Sequence, residues 1–309
     1  SPVNNTNAKF TADLWHLLSK ENAGENFVFS PVSLELLLLN ASQDYTTEKA
    51  TLKYATVLAI DKCFPVTERF TSITKKQFPD AKFFNAAFSR DGKKTEAYIN
   101  HVVAETTKNR IKNLIPNGSL GAHTTMVLVN ALYLKASFKE NFTSTAIADF
   151  YDKDNKAHEI EFLEGSFEDL PYYNKDGFSM IMLPYIDEHF NLYVAINSSG
   201  SINMADVIHQ TLAQKIDFES KEVDVKLPKF TMEYTADQIM DHMKMLNVRD
   251  IFNESTANFK ALLKNPKDKV FVSTMRHKAF IETVSPFVES TKYSKIATAR
   301  ATKTIKCWT

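Results

Sequence analysis

Asn26-Phe27-Val28-Phe29-Ser30-Pro31-Val32-Ser33 is the stretch on which the reading of this 309-residue chain turns. Phe27-Val28-Phe29 is a short apolar run with the character of a buried strand. Pro31 suits the first turn of a helix, where its missing N–H leaves no bond unmade. Ser30, just before it, can accept from the free amides of that turn. The helix so begun, Val32–Asn40, carries four consecutive leucines, Leu36–Leu39. It is apolar nearly all round, which places it in the middle of a large core. Ser30 and Ser33 are buried with it, and their hydroxyls need hydrogen-bond partners from distant parts of the chain.

The totals are those of a protein with a substantial core: 44% of residues are hydrophobic and only 7 are glycine. Acidic and basic side chains balance at 37 each, so the chain lacks the basic excess of a nucleic-acid binder. No apolar run approaches the length of about 18 residues that marks a membrane-spanning helix. Ser-Pro-Val-Asn-Asn-Thr at the start has neither the charged nor the apolar section of a signal peptide, so a secreted protein would be in its mature form here. Six Asn-x-Ser/Thr sequons, at Asn4, Asn40, Asn117, Asn141, Asn197 and Asn253, favour the secretory route. Cys63 and Cys307 are compatible with one disulfide or two free thiols, and their spacing fits no zinc pattern.

Periodicity predicts helices over Asn7–Lys20, Thr46–Ile60, Val66–Gln77, Tyr98–Leu114, Ile202–Lys215 and Ala236–Leu246. Lys82–Ser89, Val223–Leu227 and Val270–Glu282 read as strands, and Phe142 to Asn197 as several short ones. Asp176-Gly177 marks a turn between two of these. Thr124–Leu134 is β-branched and apolar on both faces, the mark of a central strand in a covered sheet. Thr283–Thr309 has no apolar period and reads as an exposed loop or tail. With no repeat and no linker, the expectation is one α+β domain over 1–309.

Catalytic patterns are missing. No His-Glu-x-x-His, nucleophile elbow, phosphate loop or dinucleotide fingerprint is present, and no metal or cofactor is expected. A Ser30–His277 hydrolase would have its nucleophile in the core, out of reach of substrate. Asp187-Glu188-His189 follows Pro184-Tyr185 and fits a solvated turn. The chain does not read as an enzyme.

Several islands, in order from about Ala8 to Glu282, resemble the serpin family. Asn26–Ser33 looks like its strand–helix junction, and Thr124–Phe142 like its central strand and the following turn, with Phe138 where Trp is common. Met180-Ile181-Met182-Leu183-Pro184, Val223–Phe230 and Leu246–Phe252 resemble further segments, Asn247 standing in place of the usual Gly. His277-Lys278-Ala279-Phe280-Ile281-Glu282 is similar to the strand that feeds the reactive loop. The resemblance implies a serpin-like single domain with a large central mixed sheet, further sheets and about eight or nine helices. It also implies that Ser30, Ser33, Asn130 and His277 meet beneath the sheet as a polar shutter, a structural role. Two departures stand out. The passage between Asp91 and Tyr98 is expected to be short for the family, and the family's last strands are absent, so that they are expected to form a separate piece of a cut chain.

Inhibitory serpins are traps in which a cut loop inserts into the central sheet. Small residues suit that step, because alternate side chains must enter a packed interior. The family's hinge is Glu-Glu-Gly-Thr-Glu followed by several alanines. Here the hinge positions are Glu282, Ser285, Pro286, Phe287, Val288 and Glu289; Phe287 replaces the Gly and Pro286 lacks a strand donor. Lys292 and Tyr293 follow where small residues are expected, and the alanines of Ile296–Thr302 come late. The resemblance therefore implies a secreted, monomeric serpin-fold protein that is a weak inhibitor or none, cut as a substrate by a trypsin-like protease. Its rival is a working inhibitor with Arg300, Lys303 or Lys306 as the bait residue, since a cation suits an acidic specificity pocket. A carrier or storage protein on the same fold is the third reading.

Overall fold

A computed structural model describes residues 5–23, 26–30, 45–46, 50–152, 154–186, 190–197, 203–284 and 306–308. The whole of the expected hub helix, Val32–Asn40, and Ser33 with it, lies outside the described residues. The strands among them form two six-stranded sheets.

The first sheet has the order β1 (Tyr45–Thr46), β2 (Ala50–Asp61), β4 (Met126–Ser137), β11 (Val272–Val284) and β10 (Thr231–Ala236), with β3 (Lys82–Ala86) also paired to β2. It is mixed: β2 with β3 and β4 with β11 run parallel, and the other pairs antiparallel. β4 is buried on both faces, as its apolar sequence predicts. Val127, Val129, Ala131 and Tyr133 point to α3 (Phe88–Thr106) and the segment crossing the sheet after it, meeting Ile99, Val102, Val103, Ile111 and Leu114. Leu132 and Leu134 point the other way, onto Leu163, Leu183, Leu192 and Leu227 of the second sheet.

That second sheet is antiparallel, ordered β12 (Lys306–Trp308), β8 (Asn191–Asn197), β7 (Phe178–Pro184), β6 (Ala157–Lys175) and β5 (Ser144–Tyr151), with β9 (Glu219–Pro228) also on β6. Asp176 and Gly177 both take positive φ (51° and 78°) between paired Lys175 and Phe178. This is the two-residue hairpin expected there, whose turn matches the strands' twist. The remaining helices are α1 (Asn5–Glu21), α2 (Glu68–Gln77), α4 (Met204–Leu212) and α5 (Ile239–Met245). Thr67 caps α2 by accepting from the Phe70 amide.

Five α-helices thus lie among the described residues, against the eight or nine expected. One reason is that residues 50–60, most of the helix expected over Thr46–Ile60, are strand. Leu52 and Ala55 have helical spacing, but Leu52, Ala55, Val57 and Ala59 are divided between the two cores that cover the sheet. Asn26–Ser30 is the converse case, since it joins no ladder among the described residues. Phe27 and Phe29 instead lie half-buried between two clusters, and Phe27 stacks near Trp15, Phe29 and Tyr234. The helix expected at Tyr98–Leu114 begins and ends earlier, at Phe88 and Thr106. Asp91 to Tyr98 accordingly lies inside α3, with non-helical dihedrals at Asp91.

The crossing segment is tied to α3. Gly92 lies so near it that a Cβ there would stand 2.3 Å from the Leu120 carbonyl oxygen. The Glu96 carboxylate accepts from the amides of Gly118 and Leu120 at 2.9 and 2.8 Å. Asn100 exchanges two hydrogen bonds with the Ile115 backbone. Helix and segment therefore form one rigid cover over the first sheet.

Candidate functional site

Three polar residues occupy one row across the first sheet. Thr56 of β2 faces Asn130 of β4, and Asn130 faces His277 of β11. Their positions share the parity of Leu132 and Leu134, so all three look away from α3 and toward the Asn26–Ser30 segment. Asn130 and His277 are wholly buried, and Ser30 is buried beneath them.

The hydrogen bonds run in one direction. The Ser30 amide donates to His277 Nε2 at 3.1 Å. With that nitrogen's lone pair used, a neutral ring carries its proton on Nδ1. Nδ1 lies 3.1 Å from Asn130 Oδ1, to which it donates. Asn130 Nδ2 in turn donates to Thr56 Oγ1 at 3.3 Å. These three donors thus each find an acceptor, where an unmade bond would cost about 1–3 kcal/mol. Burial depresses the His277 pKa from 6.5 to about 3. A second proton would place an N–H against the Ser30 N–H, which adds to the cost.

Of the expected shutter set, the structure brings Ser30, Asn130 and His277 together, while Ser33 lies outside the described residues. Ser30 reaches His277 through its backbone amide, an arrangement that leaves His277 Nε2 no free lone pair to act as a base toward the serine hydroxyl. Thr56 was missed because it sits in the segment read as helix; only its place opposite Asn130 reveals it.

The β4–β11 seam is fastened at its lower end too. Ser273 Oγ donates to the Met126 carbonyl at 3.0 Å and accepts from the Thr125 amide at 3.1 Å. Thr125 Oγ1 donates to the Phe271 carbonyl at 2.6 Å. Above, the ladder continues without a break from Thr274 to Val284 opposite Ser137. Glu282, expected in the hinge, is therefore a strand residue paired with Lys135 and Thr231. Ser285, Pro286, Phe287, Val288 and Glu289 lie outside the described residues, as do Arg300 and Lys303. Lys306 begins β12, its backbone opposite Ala195 of β8, so this part of the expected loop is strand. Among the described residues, no group of histidines, cysteines and carboxylates is placed to hold a metal ion.

A sequence profile of the family described as Serpin (serine protease inhibitor) matches residues 37–305. The chain belongs to the serpin family. Human serpin B9 is 26% identical over 325 residues, covering 91% of this chain and 85% of that protein. Antitrypsin of Bombyx mori is 27% identical over 347 residues, covering 97% and 86%. Among solved structures, uncleaved ovalbumin aligns with a TM-score of 0.81 at 16% identity, over 97% of this serpin and 94% of that chain. Native protease nexin-1 with heparin aligns at 0.78 and 23%, over 94% and 88%. These two structures share the fold.

The buried histidine makes this serpin acid-sensitive. An unfolded histidine takes a proton below about pH 6.5, whereas His277 in the native state does so only near 3. Between those values the unfolded chain binds more protons, so stability is full above about 6.5 and falls as pH drops, by up to about 1.4 kcal/mol per unit. Urea unfolding between pH 6.5 and 5 should show a shallower dependence in His277→Gln than in the parent. Equal slopes would contradict the assignment.

Proposed function

We propose that this serpin is cut as a substrate by a serine protease and releases it, rather than trapping it by loop insertion. The observation that carries the reading is the closed parallel seam between β4 and β11, joined without a gap to an unsuitable hinge. A segment returning from β11 and entering between these strands would run antiparallel to both and find regular partners on each side. It would also have to part a ladder that reaches Val284↔Ser137, two residues before Pro286. Pro286 offers no amide to the new ladder, and Phe287 brings an aromatic ring where the family places glycine. Lys292 and Tyr293 set further bulk along the path.

The partner would be an enzyme that cuts after a cation, since Arg300 and Lys303 lie in the expected loop and a guanidinium or ammonium fits an acidic specificity pocket. Antitrypsin and leukocyte elastase inhibitor, by their names inhibitors of proteases, are 27% and 25% identical to this chain. Neither catalysis nor a cofactor is part of the proposal: the polar row serves to hold the sheet. The chain is read as a monomer.

Secretion is proposed on the sequons. Asn117, Asn141 and Asn253 are exposed, where a glycosyl transfer enzyme can reach them. Material made in a secreting cell should lose mass on treatment with peptide-N-glycosidase; an unchanged mass would remove this support.

The direct test is a thermal melt before and after trypsin nicks the 285–305 region, with the cut mapped by mass spectrometry. Insertion would add a central strand and raise the midpoint by tens of degrees, whereas the proposal expects no such rise. A large rise would overturn it in favour of a working trap with a basic bait residue.

A further inference from the structure

Arg110 lies on the crossing segment, four residues beyond α3, and reaches over the seam. Its guanidinium sits 5.7 Å from the centre of the Phe280 ring on β11. It comes within 3.2 Å of Glu282 Oε2, also on β11. That contact is off the line of a hydrogen bond, and Glu282 Oε2 is buried with no hydrogen-bond partner, so the carboxylate relies on Arg110 for charge balance. On the β4 side Arg110 lies near enough to the Tyr133 hydroxyl to oppose the burial that raises its pKa. Tyr133 and Phe280 are directly opposed in the ladder and meet edge to face at 5.7 Å.

The backbone makes this reach possible. Lys108 and Asn109 take positive φ (51° and 60°), turning the chain sharply after α3. Thr107 fixes the turn, donating to the Val103 carbonyl and accepting from the Ile111 amide. Since the segment is tied to α3 through Glu96 and Asn100, Arg110 is mounted on the cover rather than on the sheet.

We infer that Arg110 is a latch on the β4–β11 seam, holding both strands at once from the cover, so that the sheet admits another strand only when this hold is broken. A strand entering between β4 and β11 moves Tyr133 away from Phe280 and Glu282 by about 4.8 Å. The latch cannot then keep its contacts to both sides, so they favour the closed sheet alone. This rests on the reading that opening of the seam governs the outcome of cleavage, and it adds a residue outside both the hinge and the buried polar row.

The test uses intact protein and a labelled 12-residue peptide of alternating threonine and alanine, which probes the seam independently of the protein's own hinge. Uptake is measured by native mass spectrometry, and the melt of the loaded protein reports whether the peptide has joined the sheet. Arg110→Ala should take up the peptide at least ten times faster than the parent. Arg110→Lys, which keeps the charge but loses the planar fork, should fall between. Lys112→Ala, an exposed neighbour, should match the parent. Glu282→Gln should also speed uptake, and should add little on top of Arg110→Ala because both act through one contact. Circular dichroism and the melt of each unloaded variant show whether it is folded, and Arg110→Lys and Glu282→Gln carry the test if Arg110→Ala is not. Uptake by the folded variants no faster than the parent's overturns the latch. A parent that inserts its own nicked loop overturns the substrate reading instead and leaves the latch measurable.

Discussion

Two parallel strands lie side by side with a buried polar row running through their contact, and the rest of this serpin is arranged around that constraint. Parallel neighbours at the centre of a sheet need both faces covered. The chain supplies α3 and its crossing segment on one face, and the second sheet with the Asn26–Ser30 stretch on the other. A buried histidine and asparagine would be costly alone. They are tolerable because the Ser30 amide, His277, Asn130 and Thr56 form one directed chain of hydrogen bonds across three strands and the segment beneath.

The seam has three fastenings at different heights: Ser273 with Thr125 below, Asn130 with His277 in the middle, and Arg110 above. They are chemically distinct. The lowest is made of hydroxyls and backbone, the middle is a dry polar row, and the highest is a half-exposed cation held over the Phe280 ring. Opening from the loop end must first release the cation, which water can resolvate most readily, and only then disturb the buried histidine. This order follows from exposure: Arg110 is 46% exposed, whereas His277 is wholly buried.

Much of this was legible in the sequence where a local signal and the tertiary environment agree. The both-sided apolar run of β4, the Asp176-Gly177 turn and the amphipathic α1 and α3 all have their cause within a few residues. The family islands placed Asn130 and His277 in one cluster, although they are 147 residues apart. What stayed hidden depends on partners. The β2 segment carries spacings that suit a helix, and only the two cores on either side decide for a strand. Phe27-Val28-Phe29 has strand composition but no neighbour to ladder with among the described residues. Arg110 falls inside the helix expected over Tyr98–Leu114, whereas the helix stops at Thr106 and the turn through Lys108 and Asn109 swings the arginine over β11.

The central claim is that His277 is a neutral hydrogen-bond relay within the seam. Nitrogen NMR of protein labelled in its histidines, recorded at pH 5.5 with His277→Gln to assign the signal, tests it most directly. The expected result is a neutral ring protonated on Nδ1, with Nε2 bare and accepting. A ring that is already an imidazolium at that pH, or one protonated on Nε2, would contradict it.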